Sequence, residues 1–249
     1  MSHVNLLLTP DIAPQHFAGW YILNTQLQKL TGYQIRLTIA SSRQEQFQAI
    51  EQGNIDLVYA NPFDSSELVR QKNYQALASP IEKSNEIIIA SAAHSSITQL
   101  KQLKKGHRIA IAGNKDIKLI GLRLLEAIDL SEDQLTWIEA PNYQAAARLV
   151  IDNKAEATFQ LAENYHQFSK LTKIRLHPLI ESALDDIHHA LLTQTHNPAS
   201  KSIQQALIKL SNDPSKQSIF KEIGIPKGFK AIEQENIEFM IDIIDTLID

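Results

Sequence analysis

Residues 35–60 and 135–160 carry one pattern twice, at an ungapped offset of 100 positions (135 − 35). The first reads IRLTIASSRQEQFQAIEQGNIDLVYA and the second LTWIEAPNYQAAARLVIDNKAEATFQ. The offset pairs Ile35 with Leu135, Gln44 with Gln144, Asp56 with Glu156 and Tyr59 with Phe159. Each copy alternates as a strand, breaks at a polar turn, and continues with helical periodicity. Each then closes on a short strand ending in an aromatic residue. Such periods are common to the fold class, so the repetition argues for two similar α/β lobes without requiring duplication.

The end of the first copy shows what such a unit offers. Ile55–Ala60 is a short apolar run, and Asn61-Pro62 stops it because proline restricts the residue before it and cannot donate to a ladder. Pro62 also suits the first turn of a helix. A strand end opening onto a helix start is where open α/β sheets bind ligands. Tyr59 and Asn61 therefore sit where the lip of a site is expected, although a buried strand end with an asparagine cap reads the same way.

The remaining chain keeps this alternation. Strands are predicted at Val4–Leu8, Gln34–Ala40, Tyr74–Ala78, Glu86–Ser91, Arg108–Ala112, near 174–178 and at Ile187–Thr193. Helices are predicted from Pro14 to Leu30, from Ser42 to Gln52, after Pro62, over 117–128 and around 163–170. Three more follow at 198–211, 214–223 and 233–247. Gly32 is placed as a left-handed helix end, and Ser42 with Glu45 forms a capping box. Strands and helices alternating over this length predict an α/β protein of two lobes, each a mostly parallel sheet flanked by helices.

Composition narrows the function more by exclusion. Of 249 residues, 43% are hydrophobic and 21% charged, which suits globular lobes with real cores. A net charge of −4 gives no overall electrostatic footprint for nucleic acid or an anionic membrane. No stretch has the length and apolarity of a membrane span. The absence of cysteine removes disulfides, thiolate metal sites and cysteine nucleophiles. His188-His189 would point to opposite faces of a strand, and His177 and His196 lack zinc-motif spacing, so no metal or cofactor is predicted. Asp185-Asp186 reads as a solvated loop pair. No nucleophile elbow, phosphate loop or dinucleotide fingerprint is present, and no catalytic residue is assigned. Met1-Ser2-His3 runs straight into Val4, without a signal h-region. That predicts a cytoplasmic protein if Met1 is the natural start, or a periplasmic one if a signal was removed.

Three segments carry a family resemblance. They are Phe47–Leu57, with helix, small loop and Asp56-Leu57; Ile87–Ser91 with Ser95-Ser96-Ile97 and Leu100–Ala110; and Tyr143–Ala157. Together they resemble the two-lobe (type 2) periplasmic solute-binding proteins, nearest the phosphate, phosphite and phosphonate branch of ABC transporters. The likeness covers most of residues 4–195. Where phosphonate binders have a Ser/Thr-rich turn, this chain has Ala112-Gly113-Asn114-Lys115-Asp116, without a hydroxyl. The helix start there still favours an anion, Lys115 adds charge, and Asp116 opposes it.

The resemblance implies a small polar or anionic ligand, possibly phosphonate- or phosphate-like, closed upon between lobes by hinge motion. Thr9, Ser41, Ser42, Tyr59 and Asn61 would face it from one lobe, and Asn114, Lys115, Tyr143, Phe159 and Gln160 from the other. Ser42 is equally explained as a cap. Asn114 and Lys115 suit either a contact or a solvated turn. Tyr59 and Phe159 fit a core too, but their matching strand ends favour the lip. The first lobe is placed at residues 1–84 plus 194–249 and the second at 85–193. Glu86–Ser91 and Ile187–Thr193 are the expected hinge strands crossing between them. The implied partner is an ABC transporter permease, for a monomer that neither binds nucleic acid nor inserts into membrane. The alternatives are a cytoplasmic ligand sensor of the same fold that signals to a protein partner, and an enzyme, whose cleft would need titratable groups that the predicted one lacks.

Overall fold

A computed structural model describes residues 3–113, 115–183 and 186–248, without the side chains of Lys115, Leu247 and Ile248. The chain divides into two compact units, Met1–Ser84 with Asp186–Ile244 and Asn85–Asp185 with Asp245–Asp249.

The first unit begins β1 (His3–Leu8), α1 (Phe17–Thr31), β2 (Gln34–Ile39), α2 (Arg43–Glu51), β3 (Leu57–Ala60), α3 (Pro62–Gln71) and β4 (Tyr74–Pro80). The second holds β5 (Ile87–Ala92), β6 (Arg108–Ala112), α4 (Lys115–Glu126), β7 (Thr136–Ala140), α5 (Tyr143–Ile151), β8 (Ala157–Leu161), α6 (Ala162–Gln167), α7 (Lys170–Lys173) and β9 (Leu176–Glu181). The chain then returns through β10 (Ala190–Gln194), α8 (Ser200–Ser211), α9 (Gln217–Glu222) and β11 (Phe229–Ala231), and α10 (Gln234–Ile248) follows.

One sheet runs β11-β4-β10-β3-β1-β2 and the other β7-β6-β8-β5-β9. Apart from β11, the two orders are the same. In each, the first strand of a βαβαβ run lies between the second and third (β1, β6), and one strand is inserted antiparallel beside the last strand of that run (β10 beside β3, β5 beside β8). The sheets are therefore mixed, which corrects the expectation of mostly parallel ones. Parallel neighbours arise where a helix carries the chain back, as in β1-α1-β2 and β6-α4-β7. The inserted strands arrive from outside those runs and pair antiparallel on both sides.

The same pairing corrects the boundary and the hinge strands. β10 is hydrogen-bonded between β3 and β4, so 186–193 belongs with the first unit. β5 lies wholly within the second sheet.

The first core gathers on one sheet face, where Leu6, Leu8, Tyr59 and Leu191 meet Trp20, Leu23, Leu27, Leu207, Phe220 and Phe229. Burying each such side chain contributes about 1.5–3 kcal/mol, and this apolar stripe, more than propensity, holds α1 in place. α1 ends at Gly32, whose φ of 75° is the left-handed geometry that glycine adopts without strain. In the second unit Ile88, Ala90 and Ala110 pack beneath Ala146, Ala147 and Val150 of α5. Among the described residues no helix is long and apolar enough to cross a membrane.

Candidate functional site

In the first unit the ends of β1 and β3 and the start of β10 meet at one sheet edge. The backbone N–H of Thr9 donates to the Tyr59 carbonyl at 3.2 Å. The Thr9 hydroxyl donates to the Asp11 carboxylate, and the other Asp11 oxygen lies 2.9 Å from His189 Nε2. The His189 ring stacks on Tyr59, with centroids 5.2 Å apart and planes at 22°. Burial alone would raise the Asp11 carboxyl, but the His189 charge, its hydrogen bond and the Thr9 hydroxyl outweigh that and hold it below the usual carboxylate range. Desolvation pushes the neighbouring His188 below the ordinary imidazole value. A carboxylate thus fixes the orientation of an imidazole at the sheet edge.

Of the predicted lip, Thr9 joins this cluster while Tyr59 lies under it. Tyr59 is 2% exposed and packs on Trp20 at 4.8 Å, so it is a core aromatic rather than a lip residue. Asp11 and His189 were missed because 178 positions separate them. The available signal was local, an acid three residues beyond a strand end.

The other first-unit candidates are engaged in capping. Ser42 accepts from the Glu45 N–H, and both donors of Ser41 go to the Glu45 carboxylate. Asn61 accepts from the Asp64 N–H at 2.8 Å and donates to its carboxylate at 3.1 Å. Asp64 is 2% exposed and also receives Arg43 Nε and Gln46 Nε2, each at 2.9 Å. This buried carboxylate clamps the starts of α2 and α3 at the edge that carries Thr9. With the Glu45 N–H taken by Ser42, the Arg43 and Gln44 N–H groups are the first-turn amides of α2 without intrahelical acceptors, at the positive end of its dipole.

In the second unit, Asn114 and the Lys115 side chain lie outside the described residues. Tyr143 is the first residue of α5, half-buried against that unit's core. Phe159 is fully buried, and a Cβ on Gly121 of α4 would come within 2.2 Å of its ring, so it too is a core residue. Gln160 is fully buried, donates to Thr158 Oγ1 at 2.6 Å, and leaves its own Oε1 unpartnered. Among the described residues no group of three potential ligands could hold a metal ion.

Two units of one topology, the first with polar side chains gathered where its parallel strands end, define a two-lobe solute-binding protein. The family model for the periplasmic substrate-binding protein of phosphonate ABC transporters matches residues 6–237, and the chain belongs to that family. It is the substrate-binding component of an ABC transport system. The fold is similar to that of PhnD1 from Prochlorococcus marinus in complex with methylphosphonate, with a TM-score of 0.78 at 14% identity over 99% of this chain and 98% of that one. XAC2383 from Xanthomonas citri, bound to chloride ion, gives 0.77 at 14% identity over 99% of both. The aliphatic sulphonate binding protein SsuA from Escherichia coli gives 0.64 at 14% identity, over 99% and 87%. Comparison with curated protein sequences finds no match.

Proposed function

We propose that this chain captures a small tetrahedral oxyanion of the phosphonate or sulfonate class in the periplasm and delivers it to an ABC permease without chemical turnover. The family match through residues 6–237 carries this reading, because it spans strands of both sheets. The ligand-facing edge of the first unit is the one holding Thr9, Asp11 and His189. There Asp11 holds the Thr9 hydroxyl and the His189 imidazole in fixed positions at the edge the ligand would face. The Arg43 and Gln44 amides at the start of α2 add backbone donors and a favourable dipole. Ser41 and Ser42 contribute to this edge by shaping the helix start, since their side chains are spent on Glu45.

Thermal unfolding tests the reading with methylphosphonate, ethanesulfonate, phosphate and an uncharged amide of similar size. A ligand at one hundred times its Kd should stabilise the native state by about 2.7 kcal/mol. A midpoint that rises with one of the three anions and not with the amide supports the reading. A rise with the amide alone, or release of phosphate or sulfite from the bound compound, would overturn it.

A further inference from the structure

The second sheet separates its charges in a way that the chain's net charge of −4 conceals. Lys104 and Lys105 precede β6, Lys154 precedes β8, and Lys170, Lys173 and Arg175 precede β9. β6 and β8 run parallel, and β5, antiparallel to β8 and β9, brings the start of β9 to that same amino edge. Cross-links there confirm the proximity: Ala93 N–H donates to the Arg175 carbonyl at 2.8 Å, and His94 meets Asn153 at 2.9 Å. All six cations except the half-buried Lys173 are exposed. Within these three segments the one carboxylate is Asp152, just ahead of Lys154. Glu156, beside them, is held by Arg108 at 2.6 Å. Glu132 and Asp133 lie farther out, before β7, where Glu132 pairs with Lys118.

Amid these cations are the two most exposed large apolar side chains among the described residues, Leu171 at 74% and Ile174 at 63%. Both belong to the α7 turn, three positions apart, and so share a face. Strand spacing puts the start of β8 roughly 5 Å from β6 and roughly 10 Å from β9, close to the screening length of about 8 Å at physiological salt. Neighbouring cations therefore act together. They stand on three separate loops, and only Lys154 of the six lines the cavity beside Ile138 and Leu149, which suits a diffuse plane of negative charge better than a defined carboxylate.

We infer that the amino edge of the second sheet docks peripherally on an anionic lipid surface, with Leu171 and Ile174 entering among the headgroups. A cation near such a surface strengthens binding roughly fivefold, and the apolar pair adds a term that salt does not screen. The inference does not depend on which solute the protein carries.

Co-sedimentation of the full chain with vesicles tests it, using phosphatidylcholine with and without phosphatidylglycerol, at low and at physiological salt. The protein should pellet with the phosphatidylglycerol vesicles, less so as salt rises. The triple variant Lys170→Glu/Lys173→Glu/Arg175→Glu should weaken this at least a hundredfold. Lys104→Glu/Lys105→Glu, on a different loop, should weaken it at least tenfold. Leu171→Ser/Ile174→Ser should lower binding but keep its salt dependence. Unchanged thermal midpoints in these variants exclude misfolding as the cause. Equal pelleting on neutral vesicles, or none on anionic ones, would overturn the inference. So would retention on immobilised poly-glutamate without vesicle binding, which would assign the surface to an acidic protein.

Discussion

Asp56 and Glu156 make the same connection in the two units. The Asp56 N–H donates to the Asn5 carbonyl at 3.0 Å, and its carboxylate accepts the Asn5 N–H at 2.7 Å. The Glu156 N–H donates to the Arg108 carbonyl at 2.9 Å, and its carboxylate accepts the Arg108 N–H at 2.7 Å. Each acid precedes the third strand of its βαβαβ run and fastens it to the first. The longer glutamate also reaches the Arg108 guanidinium.

Removing either carboxylate leaves a strand-edge N–H without its acceptor. Asp56→Ala and Glu156→Ala should each cost about 1–2 kcal/mol. The two belong to separate units, so their costs should add in the double variant, measured by urea unfolding. A double variant no weaker than either single one would contradict this account.

The burial of Phe159 beneath α4 predicts that Gly121→Ala is destabilising by about 1–3 kcal/mol, because the new methyl would collide with the ring. Pairing it with Phe159→Leu should recover part of the loss. A Gly121→Ala protein of unchanged midpoint would place the aromatic elsewhere.

Acid should weaken the native state through two carboxylates held low. Glu156 is lowered first by its hydrogen bond from Arg108. For Asp11, burial is opposed and outweighed by His189 and Thr9. A depressed folded-state value means stability that is full above the ordinary carboxylate pKa of about 4 and is lost as pH falls through the lower native values. His188, lowered by burial, adds an earlier decline that begins as pH falls through about 6.5. Glu156→Gln should flatten the acid limb of a stability profile, and Asp11→Asn should do so too.

His189→Ala should raise the Kd for methylphosphonate about tenfold by isothermal titration calorimetry, roughly 1.4 kcal/mol, because it removes the ring that Asp11 and Tyr59 hold at this edge. Asp11→Asn should have a smaller effect, since it loosens the ring without removing it. Unchanged affinity in both variants would remove this edge from the site.

What the sequence made legible was local. The helices of the offset repeat reappear residue for residue: α2 spans 43–51 and α5 spans 143–151, capped by Ser42 and Asn142. The strand–helix alternation and the Gly32 helix end could likewise be read from periodicity and side-chain chemistry. What escaped depended on distant partners. Tyr59 looks like a lip residue until Trp20 and Phe229 close over it. Asn61 looks available until Asp64 takes both ends of its side chain. The insertion of β10 is invisible because no local pattern names a strand's neighbours. Likewise, one net charge cannot show that six cations share a sheet edge.

The central place of β10 also sets an order in time. During synthesis, β3 and β4 emerge early, yet the strand that must lie between them is not made until residue 194. The second sheet draws all its strands from 87–181 and can close while the first still exposes the unpaired flanks of β3 and β4. The half of the protein begun first is therefore finished last, and its open strand edges are the nascent chain's point of greatest exposure to misassembly.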